Sequence, residues 1–241
     1  MRNAILMIFL PSLALAAGSL ECNNAERLSK TSAVDLPGFQ NPLTVTFWYK
    51  VAVDPGAAND LMIEIANTAI TSQIGIGFRS GGNDFQAVKS GGTTLARMPK
   101  SPFNQWTFVM YRFDGSVHTL CQVQGSSAAC TTGTTANDIG QFNTLFVCDD
   151  TFSAFLVGKL ADLHISSAAY TDNEMQEAYS CSDFKHPKEV GYWPLWDGTS
   201  KANPASWNDL NERRNHIGRV AGTPRTDWDG PPINFCYGGA Q

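Results

Sequence analysis

Short runs of residues with a two-residue period recur along this chain, and each run is bounded by residues that favour turns. The runs combine β-branched and aromatic side chains with small polar ones, and Asp-Gly, Gly-Gly and Pro-Gly pairs separate them. Because a period of two is typical of half-buried strands, many short strands at this spacing predict an antiparallel sandwich or barrel. The runs are Leu43–Val51, Leu61–Ala66, Gln73–Phe78, Gln105–Phe113 and Leu156–Ile165.

One hairpin can be placed residue by residue. Residues 116–134 read as two strands around Gly125-Ser126, and glycine at the first turn position suits a type II′ turn. Counting outward from the turn pairs Cys121 with Cys130 at a position without backbone hydrogen bonds, where side chains approach most closely. We therefore predict a cross-strand disulfide between Cys121 and Cys130; two free buried thiols are the alternative.

The number and spacing of the cysteines fit disulfide bonds in an exported chain. The sequence has six cysteines and no Cys-x-x-Cys pair, which argues against zinc-ribbon and thioredoxin-like sites. An even number of cysteines in an exported chain is typical of disulfides. The four cysteines outside the hairpin allow three pairings, and the sequence does not choose among them. They are Cys22, Cys148, Cys181 and Cys236.

The first residues have the pattern of a secretory signal peptide. A basic start at Arg2 precedes the apolar run Ala4–Leu10, and small residues suitable for cleavage follow by Ala17. We expect a signal peptide over 1–17 and a mature chain over 18–241. The alternative is that Ile5–Leu10 is a buried strand of the fold. No later segment has the apolar length of a membrane span.

A capping box predicts one short helix after the strands. In Thr171-Asp172-Asn173-Glu174 the Thr and Glu side chains can bond each other's backbone amides. An apolar face follows, which predicts an α-helix near 172–180. With 241 residues, no repeat and no linker, residues 18–241 are predicted to form a single all-β domain with this helix.

The charge balance excludes one class of partner. The chain carries 17 Lys and Arg against 22 Asp and Glu, a net charge of −5, with no basic run. Because nucleic-acid binding depends on neutralising phosphates, an acidic chain of this kind is not expected to bind nucleic acid.

Several segments together resemble laminin-G-like, concanavalin-A-like jelly rolls of secreted and phage-borne proteins. Leu43–Val51 resembles the first long inner strand of that family, and Asn104–Phe113 resembles its tryptophan strand. Phe155–Tyr170, followed by Thr171–Tyr179, is similar to its strand and capped helix, and Gly191–Trp196 to a closing element. The resemblance implies a jelly roll of two antiparallel sheets that binds glycans, mediates adhesion or assembles outside the cell.

No catalytic pattern accompanies this resemblance. Glucanases of the same fold carry Glu-x-Asp-x-x-Glu on one strand, which places two carboxylates on one face for acid/base and nucleophilic roles. None of the seven glutamates here has an aspartate two residues later, and Glu64 is alone in its strand. The four histidines lack metal-ligand spacing. We therefore expect a protein that is not an enzyme, with no catalytic residues.

Calcium is the one cofactor that the resemblance suggests, because family members often bind Ca²⁺ at the rim of the sandwich through oxygen ligands. The candidate ligands are Asp149 and Asp150, after a short strand, and Asp162 in KLADLHI. An ordinary polar turn at Asp149-Asp150 is the alternative.

Two late tryptophans provide the ligand-binding hypothesis. Trp207 and Trp228 are predicted to lie in loops, beside Asn208 and Asp227. An exposed indole can pack on the C–H face of a sugar while neighbouring amide and carboxylate groups bind its hydroxyls. Anchoring of the loops in the core is the alternative role for these indoles.

Three functions follow from these observations. The first is a secreted, non-catalytic module that binds a polysaccharide or glycoprotein through loops at the sandwich rim. The second is a structural subunit that assembles with copies of itself into an extracellular fibre, coat or virion, using an exposed sheet edge. The third is a polysaccharide-active enzyme with an unfamiliar site, which would need two carboxylates facing each other in a cleft.

Overall fold

The computed structural model describes residues 19–23, 27–31, 42–52, 61–67, 73–79, 84–89, 92–134, 142–148, 157–180, 184, 186–195, 206–207, 217–221, 225–227 and 231. The strands are β1 (Ser19–Asn23), β2 (Arg27–Thr31), β3 (Leu43–Lys50), β4 (Leu61–Ala66), β5 (Gln73–Phe78), β6 (Asp84–Lys89), β7 (Thr93–Pro99), β8 (Thr107–Phe113), β9 (Val117–Gln124), β10 (Ser127–Thr134), β11 (Thr144–Val147), β12 (Val157–Ser166), β13 (Glu189–Trp193), β14 (Ser206–Trp207), β15 (Ile217–Ala221) and β16 (Arg225–Asp227). The helix α1 is Asp172–Ser180.

The strands form two antiparallel sheets. Sheet 1 has the order β10-β9-β8-β3-β12-β1-β16, and β13 pairs with the later part of β12. Sheet 2 has the order β14-β15-β2-β11-β4-β5-β6-β7. The edge strands β7 and β10 approach each other closely at Gly133. A Cβ added at this glycine would lie 1.8 Å from the carbonyl oxygen of Leu95. The edge strands β14 and β16 therefore lie on the opposite side, and the predicted two-sheet jelly-roll sandwich is confirmed.

The core lies between the sheets, and alternate residues of strands such as β3 and β8 build it. Phe47 and Tyr49 of β3 point inward from sheet 1, whereas Phe78 and Phe85 point inward from sheet 2; all four are buried. The ring of Tyr49 stacks on that of Phe85, with centroids 5.4 Å apart and an interplanar angle of 5°. Full burial of one large apolar side chain stabilises a fold by about 1.5–3 kcal/mol. The two-residue period of the sequence therefore corresponds to the inward and outward faces of real strands.

The helix covers part of the outer face of sheet 1. Tyr179 stacks on Trp48 with ring centroids 5.3 Å apart, and Ala178 is buried beside them. The predicted capping box is present: the Thr171 amide donates to Glu174 Oε2 at 2.7 Å, and the Glu174 amide donates to Thr171 Oγ1 at 3.2 Å. In the described part of the chain, no helix has the length and apolar character needed to cross a bilayer.

Two disulfides hold the described strands. Cys121 and Cys130 are directly opposite in the β9–β10 hairpin and are bonded, as the hairpin register predicts. Gly125 has a φ of 57°, as a type II′ turn requires at its first position. The second disulfide joins Cys22 of β1 to Cys148, directly after β11, and so links the two sheets through the core.

Two residues differ in environment from what the sequence predicts. Glu64 is fully buried, whereas a lone carboxylate in a strand is expected at the surface. Trp207 was predicted to lie in a loop, but its backbone forms β14 and pairs with Ile217 at the edge of sheet 2. A two-residue strand leaves too short a pattern for the sequence to reveal, and that explains the second difference.

Candidate functional site

A row of charged residues crosses the outer face of sheet 1 near the end of β3. Tyr49 points into the core, so alternation places Lys50 on the outer face. Lys50 lies directly opposite Lys159 of β12, and Lys159 lies directly opposite Glu21 of β1. The three side chains therefore stand side by side across three neighbouring strands.

This row borders a cleft of about 260 Å³ at the rim of the sandwich. The cleft lies where β3 ends, where β12 begins and where the segment between β7 and β8 passes over them. Such a position, at the ends of strands and beside a loop, is typical of ligand sites on β scaffolds. Its lining residues are Glu21, Lys50, Ala52, Asn104, Val157, Gly158 and Lys159.

Asn104 holds the loop side of the cleft in a defined position. Its φ of 58° lies in the left-handed region, which asparagine tolerates better than most residues. Its backbone amide donates to the carbonyl oxygen of Val51 at 2.7 Å, which fixes the loop to the end of β3. Non-glycine residues in this conformation cluster at binding sites, where the surrounding structure holds them. The Asn104 amide group is therefore presented to the cleft by a fixed backbone.

The cleft combines the groups that a sugar requires. Lys50 and Lys159 supply ammonium donors, Glu21 supplies an acceptor, and the side chain of Asn104 supplies both. Val157 is 51% exposed, a high value for a large apolar side chain. Apolar surface beside a few placed polar groups can pack on the C–H face of a sugar ring and bind its hydroxyls.

A buried polar cluster occupies the same outer face, under the region between β12 and β13. His164 Nδ1 lies 2.5 Å from Glu189 Oε1, and His164 Nε2 lies 3.6 Å from Asp162 Oδ1. The ring of Tyr192 stacks on the imidazole with centroids 4.1 Å apart. Burial lowers the pKa of His164, but the two carboxylates outweigh it and raise that pKa to about 9. His164 is therefore an imidazolium at neutral pH, held between two carboxylates.

This cluster stabilises the fold and is closed to ligands. The side chains of Asp162, His164 and Glu189 are only 2–5% exposed. They lie where β12 departs from regular pairing, and the Asp162 amide there donates to the carbonyl oxygen of Pro194. The imidazolium thus binds the irregular segment of β12 to β13.

A Ser, His and Glu also meet near the helix, but in an arrangement that holds structure together. His186 Nε2 lies 3.2 Å from Glu174 Oε1, and His186 Nδ1 lies 3.4 Å from Ser166 Oγ. Ser166 is fully buried, and its hydroxyl donates to the carbonyl oxygen of Lys188. Because a nucleophile must reach substrate, this serine is unsuited to attack, and the contacts instead fasten the helix to the segment before β13.

Two of the four predicted ligand residues lie in described strands, on the sandwich edge away from β7 and β10. Trp207 lies in β14 at the edge of sheet 2, and Asp227 lies in β16 at the edge of sheet 1, paired with Ser19. Asn208 and Trp228 lie outside the described residues. A role for these four residues in ligand binding stays a prediction.

The described part of the predicted calcium site fits a cation poorly. Asp162 is 2% exposed and lies beside the charged imidazole of His164, which repels a second cation. Within the described ranges, no three His, Cys, Asp or Glu side chains are grouped so that they could hold a metal ion. Asp149 and Asp150 lie outside those ranges, and their role as calcium ligands stays a prediction.

Sequence reasoning did not identify the cleft residues. The alternation of LTVTFWYK places Lys50 on the face opposite Tyr49, and that signal was available. The neighbours of Lys50 depend on the pairing of β1, β3 and β12, which are far apart in the chain. Strand register between distant segments has no local sequence signature, so Glu21, Asn104 and Lys159 could not be grouped in advance.

Comparison with known proteins identifies the family to which this fold is similar. A family model described as the concanavalin A-like lectin/glucanases superfamily, of the laminin-G type, matches residues 25–176. No curated protein sequence matches this chain significantly. Among solved structures, a Bacteroides ovatus protein whose suggested role is carbohydrate binding has a TM-score of 0.61 at 12% identity, covering 88% of this chain and 60% of that one.

Two further structures have the same fold. A heptameric pentraxin of Limulus polyphemus has a TM-score of 0.55 at 13% identity, covering 87% of this chain and 96% of that one. Tailspike protein 2 of an Escherichia coli O157:H7 bacteriophage has a TM-score of 0.52 at 11% identity, covering 77% of this chain and 28% of that one. At these identities the likeness concerns the fold alone. The matched family model covers more than half of the sequence, and the chain belongs to the laminin-G-type family of the concanavalin A-like lectin/glucanases superfamily.

Proposed function

We propose that this chain is a secreted, non-catalytic module that binds a polysaccharide or glycoprotein at the rim of its sandwich. The observation that carries the proposal is the cleft in which Lys50, Lys159 and Glu21 face Asn104 and the exposed Val157. The fold is shared with a protein whose suggested role is carbohydrate binding, which supports the ligand class. The two disulfides support an oxidising, extracellular location.

The composition of the cleft favours binding over catalysis. Glycoside hydrolysis requires two carboxylates about 5–9.5 Å apart on either side of the scissile bond. Glu21 is the one acidic residue in the described lining of the cleft. Asp162 and Glu189 face each other across His164, but they are buried and neutralise its charge. A binding module therefore accounts for the described residues better than a hydrolase.

Replacement of Asn104 by glycine tests the binding proposal. Glycine keeps the left-handed backbone at this position and removes only the amide side chain. We expect oligosaccharide affinity to fall about fivefold to tenfold, the value of one or two hydrogen bonds. Isothermal titration with oligosaccharides selected on a glycan array measures it, and Asn173→Ala on the exposed helix face is the matched control.

Two outcomes of the same titration would count against the proposal. Equal affinity for wild type and Asn104→Gly would move the site away from the cleft, and release of reducing ends during incubation would indicate an enzyme.

Repeating the titration with EDTA and with added Ca²⁺ tests the proposed calcium ligands Asp149 and Asp150. A calcium requirement that Asp149→Asn and Asp150→Asn abolish would support them.

Assembly into a polymer is a second candidate, because β10 forms an exposed edge of sheet 1. Its eight residues, Ser127–Thr134, include no charge and no proline, and most are exposed. Edge strands usually carry charged residues or proline, which prevent pairing with another chain. The close approach of β7 at Gly133 covers one end of this edge, and the end near Ser127 is farther from that contact.

Light scattering and intact mass of the exported protein separate the two candidates. The binding proposal predicts a monomer that begins near Gly18 with its six cysteines oxidised. A polymer that Ala128→Lys converts to monomer would favour assembly through β10, because a lysine on an edge disfavours strand addition. A chain that still carries Met1 would contradict the predicted signal peptide.

A further inference from the structure

The imidazole of His164 reaches one of its two carboxylates directly and the other only at a longer distance. His164 Nδ1 lies 2.5 Å from Glu189 Oε1, within hydrogen-bond distance. His164 Nε2 lies 3.6 Å from Asp162 Oδ1, which is too far for a direct hydrogen bond. A polar contact across such a distance is often completed by a water molecule that bonds to both groups.

Two buried oxygen atoms at this contact have no protein partner. Among the described residues, none forms a hydrogen bond with Asp162 Oδ1 or with Thr46 Oγ1. Asp162 is 2% exposed and Thr46 is 1% exposed, so bulk solvent does not satisfy them. A buried polar atom without a hydrogen bond destabilises a fold, and the oxygen of an ionised carboxylate does so most strongly.

The strand register brings these two oxygens to the same imidazole. Phe47 of β3 and Leu163 of β12 point into the core, so their neighbours Thr46 and His164 lie on the outer face of sheet 1. Thr46 and His164 are directly opposite residues, which places their Cβ atoms about 4.5–5.5 Å apart. Asp162 lies in the β-bulge of β12 with a φ of 56°, and bulges commonly redirect a side chain.

The charges of the cluster call for a further hydrogen-bond donor. Asp162 and Glu189 supply two carboxylates, whereas His164 supplies one imidazolium. A water molecule can accept a hydrogen bond from His164 Nε2–H and donate one to Asp162 Oδ1. Its second hydrogen can be donated to Thr46 Oγ1. Internal waters typically form about three hydrogen bonds with polar groups that would otherwise be unsatisfied.

We infer that one internal water molecule is bound between Thr46, Asp162 and His164 and completes the buried ion cluster. The water joins β3 to the bulge of β12 and shares the negative charge of Asp162. A site that is closed to larger ligands can still hold a water, and the neighbouring imidazolium disfavours a cation there. The site is separate from the cleft, and the inference does not depend on the proposed function.

The test compares Thr46→Val with Thr46→Ser in the full-length exported protein. Valine keeps the shape of threonine without the hydroxyl, whereas serine keeps the hydroxyl without the methyl group. Because the pKa of His164 is about 9, ¹⁵N NMR of its imidazole from pH 6 to pH 11 follows the loss of its proton. Paired nuclear and rotating-frame Overhauser spectra at pH 6.5 distinguish a bound water near His164 Nε2–H from proton exchange.

We expect Thr46→Val to lower the melting temperature at pH 6.5 by about 2–4 °C, because the water loses one of its three partners. The midpoint of the His164 titration should fall by about half a pH unit, since the water then supports the imidazolium less well. Thr46→Ser should keep the wild-type midpoint. Its melting temperature falls through the loss of a buried methyl group, so only the midpoint serves as its control. Wild type should show an Overhauser contact between His164 Nε2–H and a bound water.

Three results would overturn the inference. A Thr46→Val variant with a raised melting temperature and an unchanged midpoint would show that the Thr46 hydroxyl is unpaired. An Overhauser spectrum of wild type without a bound water at His164 Nε2–H would contradict the site directly. A midpoint that shifts when Na⁺ is replaced by K⁺ or NH₄⁺ at constant ionic strength would indicate a bound cation in place of the water.

Discussion

Removing the Cys22–Cys148 disulfide is expected to lower the free energy of unfolding by about 5 kcal/mol. The bond closes a loop with a sequence separation of 126 residues and joins β1 of sheet 1 to the end of β11 in sheet 2. A cross-link over so long a loop removes much of the conformational freedom of the unfolded chain. Because domains are stable by only about 5–15 kcal/mol, Cys22→Ala/Cys148→Ala should be at or near the limit of folding at 25 °C.

The hairpin disulfide is the matched control for this prediction. Cys121 and Cys130 have a sequence separation of only 9, so the same argument gives about 2.5–3 kcal/mol for Cys121→Ala/Cys130→Ala. Urea unfolding followed by tryptophan fluorescence measures both losses, and sucrose can be added if the first variant is unfolded in buffer. A larger loss from the hairpin pair than from the inter-sheet pair would contradict this account of the core.

The stability of the protein is expected to fall by about 3 kcal/mol at alkaline pH as His164 loses its proton. Burial alone would lower the pKa of His164, but Asp162 and Glu189 raise it to about 9, against an ordinary value of 6.5. A raised folded-state pKa means that the proton binds the folded state more tightly. The stabilisation is therefore complete below pH 6.5 and is lost as the pH rises through about 9.

The pKa of His118 is shifted in the opposite direction, and this residue limits stability at acidic pH. Burial is the largest cause that lowers its pKa to about 4; Asp114 opposes the shift, and Lys89 adds to it. Burial also raises the pKa of Tyr111, so its hydroxyl stays protonated and can donate to His118 Nδ1 at 2.8 Å. The stabilisation from neutral His118 is present above pH 6.5 and is lost as the pH falls through about 4. Together the two histidines place the greatest stability near pH 6.5.

Urea unfolding from pH 4 to pH 10 checks both histidines. His164→Gln should abolish the alkaline loss, and it should also destabilise the protein at pH 6.5, because two buried carboxylates then lack their cation. Asp162→Asn/His164→Gln/Glu189→Gln removes all three charges and should recover part of that stability. A wild type whose free energy of unfolding is constant from pH 6.5 to pH 9 would rule out a charged His164.

Local patterns in the sequence predicted strands, a hairpin and a helix. They could not predict contacts between segments that are distant in the chain. The β9–β10 hairpin and its disulfide follow from a turn residue and counting, and helix α1 follows from a capping box of four residues. The Cys22–Cys148 bond depends on how sheet 1 packs on sheet 2, and four cysteines left three pairings open. The cleft depends on the register of β1 and β3 with β12, which joins residues more than one hundred positions apart.

The buried cluster of Asp162, His164 and Glu189 could not be predicted from residue spacing alone. Asp162 and His164 are two residues apart, and regular alternation would place them simply on one face of a strand. A β-bulge in β12 and the return of the chain through β13 bring Glu189 to the same imidazole. The pairing that buries the cluster is tertiary, so residue spacing within β12 does not reveal that Asp162 lies beside His164 in an internal ion pair.

An NMR titration of the ¹⁵N-labelled protein with a glycan that binds on the array tests most directly whether the cleft is the ligand site. We expect the largest amide shifts to cluster at the cleft, at Lys50, Asn104, Gly158 and their neighbours. We also expect the shifts to saturate at a single affinity and to be lost in Asn104→Gly. Shifts confined to β10, to β14 or to β16, or no shift with any glycan tested, would contradict the proposed site.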